Sequence, residues 1–437
     1  MAHQAHALPW QTLTDNFKFV HANTRFLGRT NLYPRSKPGQ AKQLQHFARV
    51  FARVIDEYSA IERKKYGDEH TPPESGDEVV ISDETMKKIH NVVKEYMKEY
   101  TRWYPDSDRN LFDRTANAWI RVSNERNGHP DECLLSMDEL LRTLIMFGEM
   151  DTLFCLAAHP EIRLRDMWAQ GNNFHFDLGG LGPSELKEAA LLAYICLNVF
   201  YLKPELYDPA MREQMLKERA KRNEKTWSPE LYDYRLTAAY QQMLVYTTGT
   251  GYPYPHFGAH KIPHREFYGV PFGMYTSQVA WYSNINLHLT QKYGTLPLQD
   301  LVDKDFPQKY VPSKGDMPKV HDIFRALKLP TEITLAILDF ADYTPRGRLN
   351  THADPLHIDN ASELKKYLAY CWKLLIRVDM LMKAAGTHLD WEHEATEAIY
   401  KLFGVPYPQM SKEHNRPQED EQYYPYEYAK GKKREFV

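Results

Sequence analysis

Cysteine is scarce in this sequence, and neither sign of charge prevails. The 437 residues include four cysteines, and no two of them form a Cys-x-x-Cys pair. This spacing gives neither a disulfide framework nor a zinc motif, and it predicts reduced thiols in an intracellular protein. The 55 basic and 58 acidic residues leave a formal net charge of -3. Because no excess of positive charge is available to attract phosphates, the composition argues against a nucleic-acid partner.

Long apolar segments are also scarce in this sequence. Its longest apolar run, residues 189–202, is shorter than the roughly 20 residues that a helix needs to span a bilayer. Residues 1–17 have no charged start followed by an apolar run, so we expect no secretory signal and no membrane partner. The expected location is the cytoplasm. The basic stretch Lys430–Arg434 suggests nuclear import as an alternative.

Catalytic and cofactor signatures are missing as well. There is no G-x-S-x-G motif, and no Gly-Lys-Ser/Thr follows the glycines at 249 and 251. The metal candidates are three histidines with the four-residue spacing of ligands on a helix: His256, His260 and His264. Nearby prolines and glycines argue against a continuous helix there and predict an irregular loop over 247–271. We predict no cofactor and no catalytic residue.

Helical periodicity is the strongest signal that the sequence does contain. Between residues 40 and 66, apolar residues recur at three- and four-residue steps and define one helical face: Leu44, Phe47, Phe51, Val54, Ile55, Tyr58 and Ile61. Similar patterns and capping residues predict further helices at 83–103, 136–158, 183–202, from 209, 230–246, 276–293, 361–385 and 390–403. The predicted fold is all-α, with irregular loops rich in proline, glycine and aromatic residues and little or no sheet.

One short stretch, residues 327–340, carries a family resemblance. It reads LKLPTEITLAILDF, in which proline suits the first helical turn and Glu332 faces the positive end of the helix. It resembles the first helix of an F-box, Leu-Pro-x-Glu-Ile/Leu followed by Ile-Leu, and 327–381 is similar to F-box-like segments of fungal helical proteins. F-boxes dock on the small adaptor subunit of cullin-RING ubiquitin ligases. The resemblance therefore implies that partner-binding residues are Leu329, Pro330, Glu332, Ile333, Ile337 and Leu338.

The domain organisation follows from these segments. We expect an N-terminal extended segment (1–37), a helical domain (38–246) and a loop-rich segment with one helix packed on that domain (247–318). A C-terminal F-box-like helical region (319–405) and a tail (406–437) complete the chain.

Three functions are compatible with the sequence. The favoured one is an intracellular protein–protein interaction protein, with the F-box-like segment as an adaptor element in ubiquitin ligation. The 29 tyrosines support it, because tyrosine suits partner surfaces, although buried tyrosine is the commoner use. One alternative is an enzyme whose site is built around the histidine-rich loop 247–271. The other is a structural or assembly subunit.

Overall fold

The structure is a computed structural model, and it describes residues 8–22, 29–35, 40–67, 82–103, 137–160, 164, 183–248, 258–270, 293–295, 297–301, 311–341, 343 and 346–404. The helix predicted at 276–293, apart from its last residue, the tail from 406 onwards and His256 lie outside these residues.

The described part of the chain is mainly helical, as predicted. Its helices are α1 (Trp10–Asp15), α2 (Gln40–Arg63), α3 (Asp83–Trp103), α4 (Met137–Phe147), α5 (Met150–Ala158), α6 (Pro183–Tyr201), α7 (Pro209–Lys221), α8 (Ala238–Thr248), α9 (Ile262–Tyr268), α10 (Met317–Ala326), α11 (Thr331–Phe340), α12 (Ala361–Ala384) and α13 (Trp391–Phe403). The sheet in these residues has two antiparallel strands, β1 (Phe17–Val20) and β2 (Asn31–Pro34), in which Phe17 lies opposite Pro34.

Helix α12 lies at the centre of the core. It packs against α6, α2 and α5, and α13 covers α2 and α6 from another side. Helices α6 and α12 are buried over most of their length. Helix α6 is apolar nearly all round, and α12 has several apolar faces. One continuous apolar cluster extends from Leu8 to Phe403. In the described residues, no helix is long and apolar enough to cross a membrane.

Local sequence signals placed several helices correctly. On α2, the predicted face is buried from Leu44 to Ile55, whereas Tyr58 and Ile61 are exposed. Tyr58 packs edge-on against the ring of Trp372, at 5.8 Å between centroids. The predicted cap of α3 is also present, since the Ser82 hydroxyl accepts a hydrogen bond from the Thr85 amide at 3.1 Å.

The helix predicted over 136–158 is wrong as one piece. It is interrupted at Gly148, whose φ of 76° ends α4 in the left-handed conformation. The Arg377 guanidinium of α12 then donates from Nη1 to the carbonyl oxygens of Ile145 and Met146, at 2.9 and 2.7 Å. A residue far along the chain thus caps α4, and a separate helix, α5, begins at Met150.

The helix predicted over 230–246 begins later than expected, at Ala238. Two short 3-10 turns, Pro229–Leu231 and Tyr234–Leu236, precede it. The Asp233 carboxylate accepts from the Arg235 amide at 2.8 Å and stabilises the second turn. The Thr237 hydroxyl then accepts from the Tyr240 amide at 3.3 Å, which caps α8.

Candidate functional site

Helices α10 and α11 form an extension that we call the helical arm, residues 317–340. The helices are joined by a sharp turn at Lys328, whose φ is 57°. There the Leu329 amide donates to the Phe324 carbonyl at 3.1 Å and the Lys328 amide donates to that of Arg325 at 2.9 Å. This is a Schellman stop built without glycine. Pro330 follows as the N-cap residue of α11, with extended backbone at a ψ of 150°.

The arm is largely exposed. Helix α10 has no buried residue, and α11 buries only Thr334 and Leu338. The exposed fractions of its large apolar residues are 60% for Ile323, 63% for Leu327, 48% for Ile333, 55% for Leu335, 39% for Ile337 and 96% for Phe340. These six are more than half of the eleven exposed large apolar residues in the described chain. Exposed apolar surface is therefore concentrated in this arm.

Helix α11 is apolar around most of its circumference. At about 100° per residue, Ile333 and Ile337 share one face, Leu338 points inward, and Leu335 lies on the far side. A helix with such a distribution normally belongs in a core. Concentrated exposed apolar surface marks interaction sites, and α11 is therefore of the type that a partner covers.

The two helices of the arm carry opposite charge. Residues 317–330 contain three basic residues and one acidic residue, whereas α11 contains two acidic residues and no basic one. In α10, Arg325 and Asp322 form an exposed pair at 2.8 Å. The two acidic residues of α11, Glu332 and Asp339, are exposed. The surface of the arm is therefore apolar, positive at one helix and negative at the other.

The arm leaves and rejoins the body at one place. The Gly347 amide donates to the Pro312 carbonyl at 2.8 Å, and the Lys314 amide donates to the Gly347 carbonyl at 3.0 Å. Arg348 binds the Glu266 carboxylate of α9 at 2.9 Å, and Arg346 pairs with Glu95 of α3. The two ends of the arm are thus held close together by the hydrogen bonds of Gly347 with Pro312 and Lys314.

The structure separates the two ends of the F-box-like segment. Pro330, Glu332, Ile333 and Ile337 are exposed, Leu329 is half-buried and Leu338 is buried. At the other end, Cys371 and Trp372 are buried in α12. Helix α11 is therefore largely accessible to a partner, whereas Cys371 and Trp372 are not.

Sequence reasoning missed part of the exposed surface, namely Ile323, Leu327, Leu335 and Phe340. A signal is present at α10 and the residue that follows it, where Val320, Ile323, Phe324 and Leu327 recur at three- and four-residue steps.

The other candidate, the histidine-rich segment, is helical where it is described. The predicted irregular loop is wrong for residues 259–268, which form a 3-10 turn, Ala259–Lys261, followed by α9. Pro263 is tolerated because it lies in the first turn of α9, where its missing amide hydrogen is not needed. His260 and His264 are both buried, with exposed fractions of 1% and 0%.

These two histidines contact different neighbours. His260 Nε2 lies 3.5 Å from Glu185 Oε2, and Arg142 Nη2 lies 3.6 Å from the same oxygen. His264 Nδ1 lies 2.6 Å from the Tyr367 hydroxyl. The position of His260 depends on Gly258, because a Cβ atom there would be 2.2 Å from the His260 ring.

Burial and nearby cations keep both imidazoles neutral. Burial, followed by the nearby charges of Arg265 and Lys261, lowers the pKa of His264 to about 3. The pKa of His260 is lowered well below its usual value, first by burial and then by Arg142 and Lys261. In the described residues, no group of three or more histidine, cysteine or acidic side chains could hold a metal ion. The arrangement therefore provides two neutral, buried imidazoles held by separate partners.

Comparison with known proteins gives one match. The family model described as Gramillins biosynthetic cluster protein GRA5 matches residues 11–414, which include both the core and the arm. No curated protein and no solved structure matches the chain.

Proposed function

Because the chain belongs to the family of Gramillins biosynthetic cluster protein GRA5, we propose that it serves a biosynthetic pathway as a protein-binding component that docks through its helical arm. The observation that carries this proposal is the exposure of α11, a helix of core composition on the protein surface. Leaving such a helix in water is unfavourable, and a protein partner that covers it would recover that free energy.

The arm supplies anchors for helix-in-groove binding. Ile333, Ile337 and Phe340 stand at i, i+4 and i+7 on α11, the spacing by which an amphipathic helix fills an apolar groove. Phe340 is the strongest anchor because it is 96% exposed. Transferring one such side chain from water to an apolar groove is worth about 1.5–3 kcal/mol.

The F-box resemblance supplies the first partner to test, the small adaptor subunit of cullin-RING ligases. Pro330, Glu332, Ile333 and Ile337 are exposed, which supports contact with an adaptor at these positions. Since Cys371 and Trp372 are buried, such docking would rely on the arm alone.

The proposal predicts that a charge on α11 abolishes partner binding without unfolding the protein. The double variant Ile333→Asp, Phe340→Asp places two carboxylates on the exposed face, and its thermal midpoint should stay within a few degrees of the wild type. Binding to immobilised adaptor subunit, measured with purified proteins, should fall at least tenfold.

Ile61→Asp is the matched control, because Ile61 is 60% exposed on α2, away from the arm. This variant should bind as the wild type does. If wild-type protein does not bind the adaptor, the adaptor assignment fails. The docking function itself fails if partners purified from native cells are the same for the wild type and the double variant.

A further inference from the structure

We propose that the helical arm is the interface with a second copy of this chain, in which α10 of each copy packs antiparallel against α11 of the other. This inference rests on the proposed docking function of the arm and names the partner. The surface to be covered is the one formed by Ile323, Leu327, Ile333, Ile337 and Phe340.

Charge complementarity favours a second copy. Residues 317–330 carry Lys319, Arg325 and Lys328 against one acid, Asp322, whereas α11 carries only Glu332 and Asp339. A two-fold axis that places α10 of one copy against α11 of the other brings the positive and negative helices together twice. The arm is thus self-complementary, and its own net charge is zero.

The dimensions of the arm fit the same arrangement. Helices α10 and α11 are each ten residues long, so antiparallel pairing between two arms leaves no helix unmatched. The five exposed apolar residues of this surface lie on α10, on the turn that follows it and on α11, so pairing of the two arms would cover all five. Two arms together would form a four-helix cluster with the apolar residues inside.

A membrane surface is a poorer occupant for the same residues. Helices that lie on membranes carry lysine and arginine along their polar face, where they attract anionic lipids. Helix α11 has no basic residue, and its two charged residues are acidic. An anionic bilayer would repel the helix that exposes the most apolar surface.

The first test is the mass of the full-length protein in solution. Sedimentation velocity over a wide concentration range should give twice the mass of one chain for the wild type. The variant Ile333→Asp, Phe340→Asp should sediment as a monomer, whereas the exposed control Ile61→Asp should remain a dimer. A wild-type monomer at every concentration, or a dimer that persists in the arm variant, overturns the inference.

The second test reverses the charge of one helix at a time. One variant, Glu332→Lys with Asp339→Lys, makes both helices of its arm positive. The other, Lys319→Glu with Lys328→Glu, makes both negative. Each alone should be a monomer because like charges then face each other across the two-fold axis, and an equimolar mixture should form a heterodimer.

The mixture separates pairing of arms from loss of folding. Restored dimer in the mixture supports α10-to-α11 pairing directly, because a misfolded arm would not be rescued by an oppositely charged one. If each variant still dimerises alone, the pairing is wrong. A monomeric wild type whose arm variants lose adaptor binding would overturn the second-copy partner and leave the docking function standing. A dimer that dissociates on arm substitution, with no adaptor binding, would support the second copy and remove the adaptor.

Discussion

At the scale of single residues, the informative positions are those where burial opposes the ordinary behaviour of the side chain. His260 and His264 are neutral because water cannot reach them and because cationic neighbours oppose a further positive charge. Phe340 is the converse case, a large aromatic residue that is 96% exposed. The two histidines are therefore part of the buried core, whereas Phe340 is part of the exposed arm.

The buried histidines predict acid sensitivity. Their pKa values in the folded state lie below the roughly 6.5 of an unfolded chain, so the unfolded state binds more protons as the pH falls. The two histidines therefore do not lower the free energy of unfolding above about pH 6.5. Below that pH, each of them lowers it by up to about 1.4 kcal/mol per pH unit. Urea unfolding of wild type and His264→Gln at about pH 7, 6 and 5 measures this.

His264→Gln keeps a hydrogen-bonding group but does not titrate, so its stability should change less steeply over that pH range. The control is His46→Gln, at an exposed position of α2, which should keep the wild-type slope. Equal slopes for wild type and His264→Gln would show that His264 is not the titrating group.

At the scale of elements, one polar cluster joins three helices of the core. Asp379 of α12 accepts a hydrogen bond from the Trp391 indole of α13 at 2.7 Å and from the Ser59 hydroxyl of α2. Lys383 lies 2.7 Å from Asp379 and 2.6 Å from Asp56. Since Asp379 is 2% exposed, its carboxylate oxygens need these hydrogen-bond partners, and the cluster fixes how α12 and α13 sit on α2.

We expect Asp379→Ala to lower the free energy of unfolding by about 2–4 kcal/mol, because it leaves the Trp391 indole and Ser59 hydroxyl without their acceptor. Urea denaturation followed by circular dichroism measures the loss. Asp322→Ala is the control. It removes an exposed ion pair with Arg325 and should change stability by no more than about 0.5 kcal/mol. Equal effects of the two substitutions would contradict a stabilising role for the cluster.

At the scale of the whole molecule, the described residues divide into a core and an arm. The apolar core cluster extends from Leu8 to Phe403 and contains no residue of α10 or α11. Its two junctions with the arm are adjacent, since Gly347 bonds to Pro312 and Lys314. The arm therefore lies outside the apolar cluster that stabilises the core.

This division predicts that the arm is dispensable for folding. Replacing the arm, residues 317–340, by a short Gly-Ser linker removes only two buried side chains, Thr334 and Leu338, so the free energy of unfolding should decrease by no more than about 1–3 kcal/mol. Circular dichroism and thermal melting check the fold, and sedimentation should give a monomer. An insoluble or unfolded product would mean that the arm is part of the core.

The sequence by itself determined the helical class and the approximate bounds of α2, α3, α12 and α13. Periodicity and caps are local, so residues such as Ser82 and Asp390 act on amides three residues away whatever the remainder of the chain does. The amphipathic start of α11 was also visible in its own residues. Local patterns show which face of a helix is apolar, but they do not show what covers that face.

Only the tertiary structure decided where these helices lie. It placed α11 on the surface and α12 in the core, although both are rich in apolar residues, because α12 is surrounded by α6, α2 and α5. It interrupted the helix predicted over 136–158 at Gly148, where Arg377 from a distant part of the chain binds the free carbonyl groups. It also buried His260 and His264, which the sequence placed in an irregular loop. In each case the deciding contact joins residues far apart in the chain, which a local pattern does not contain.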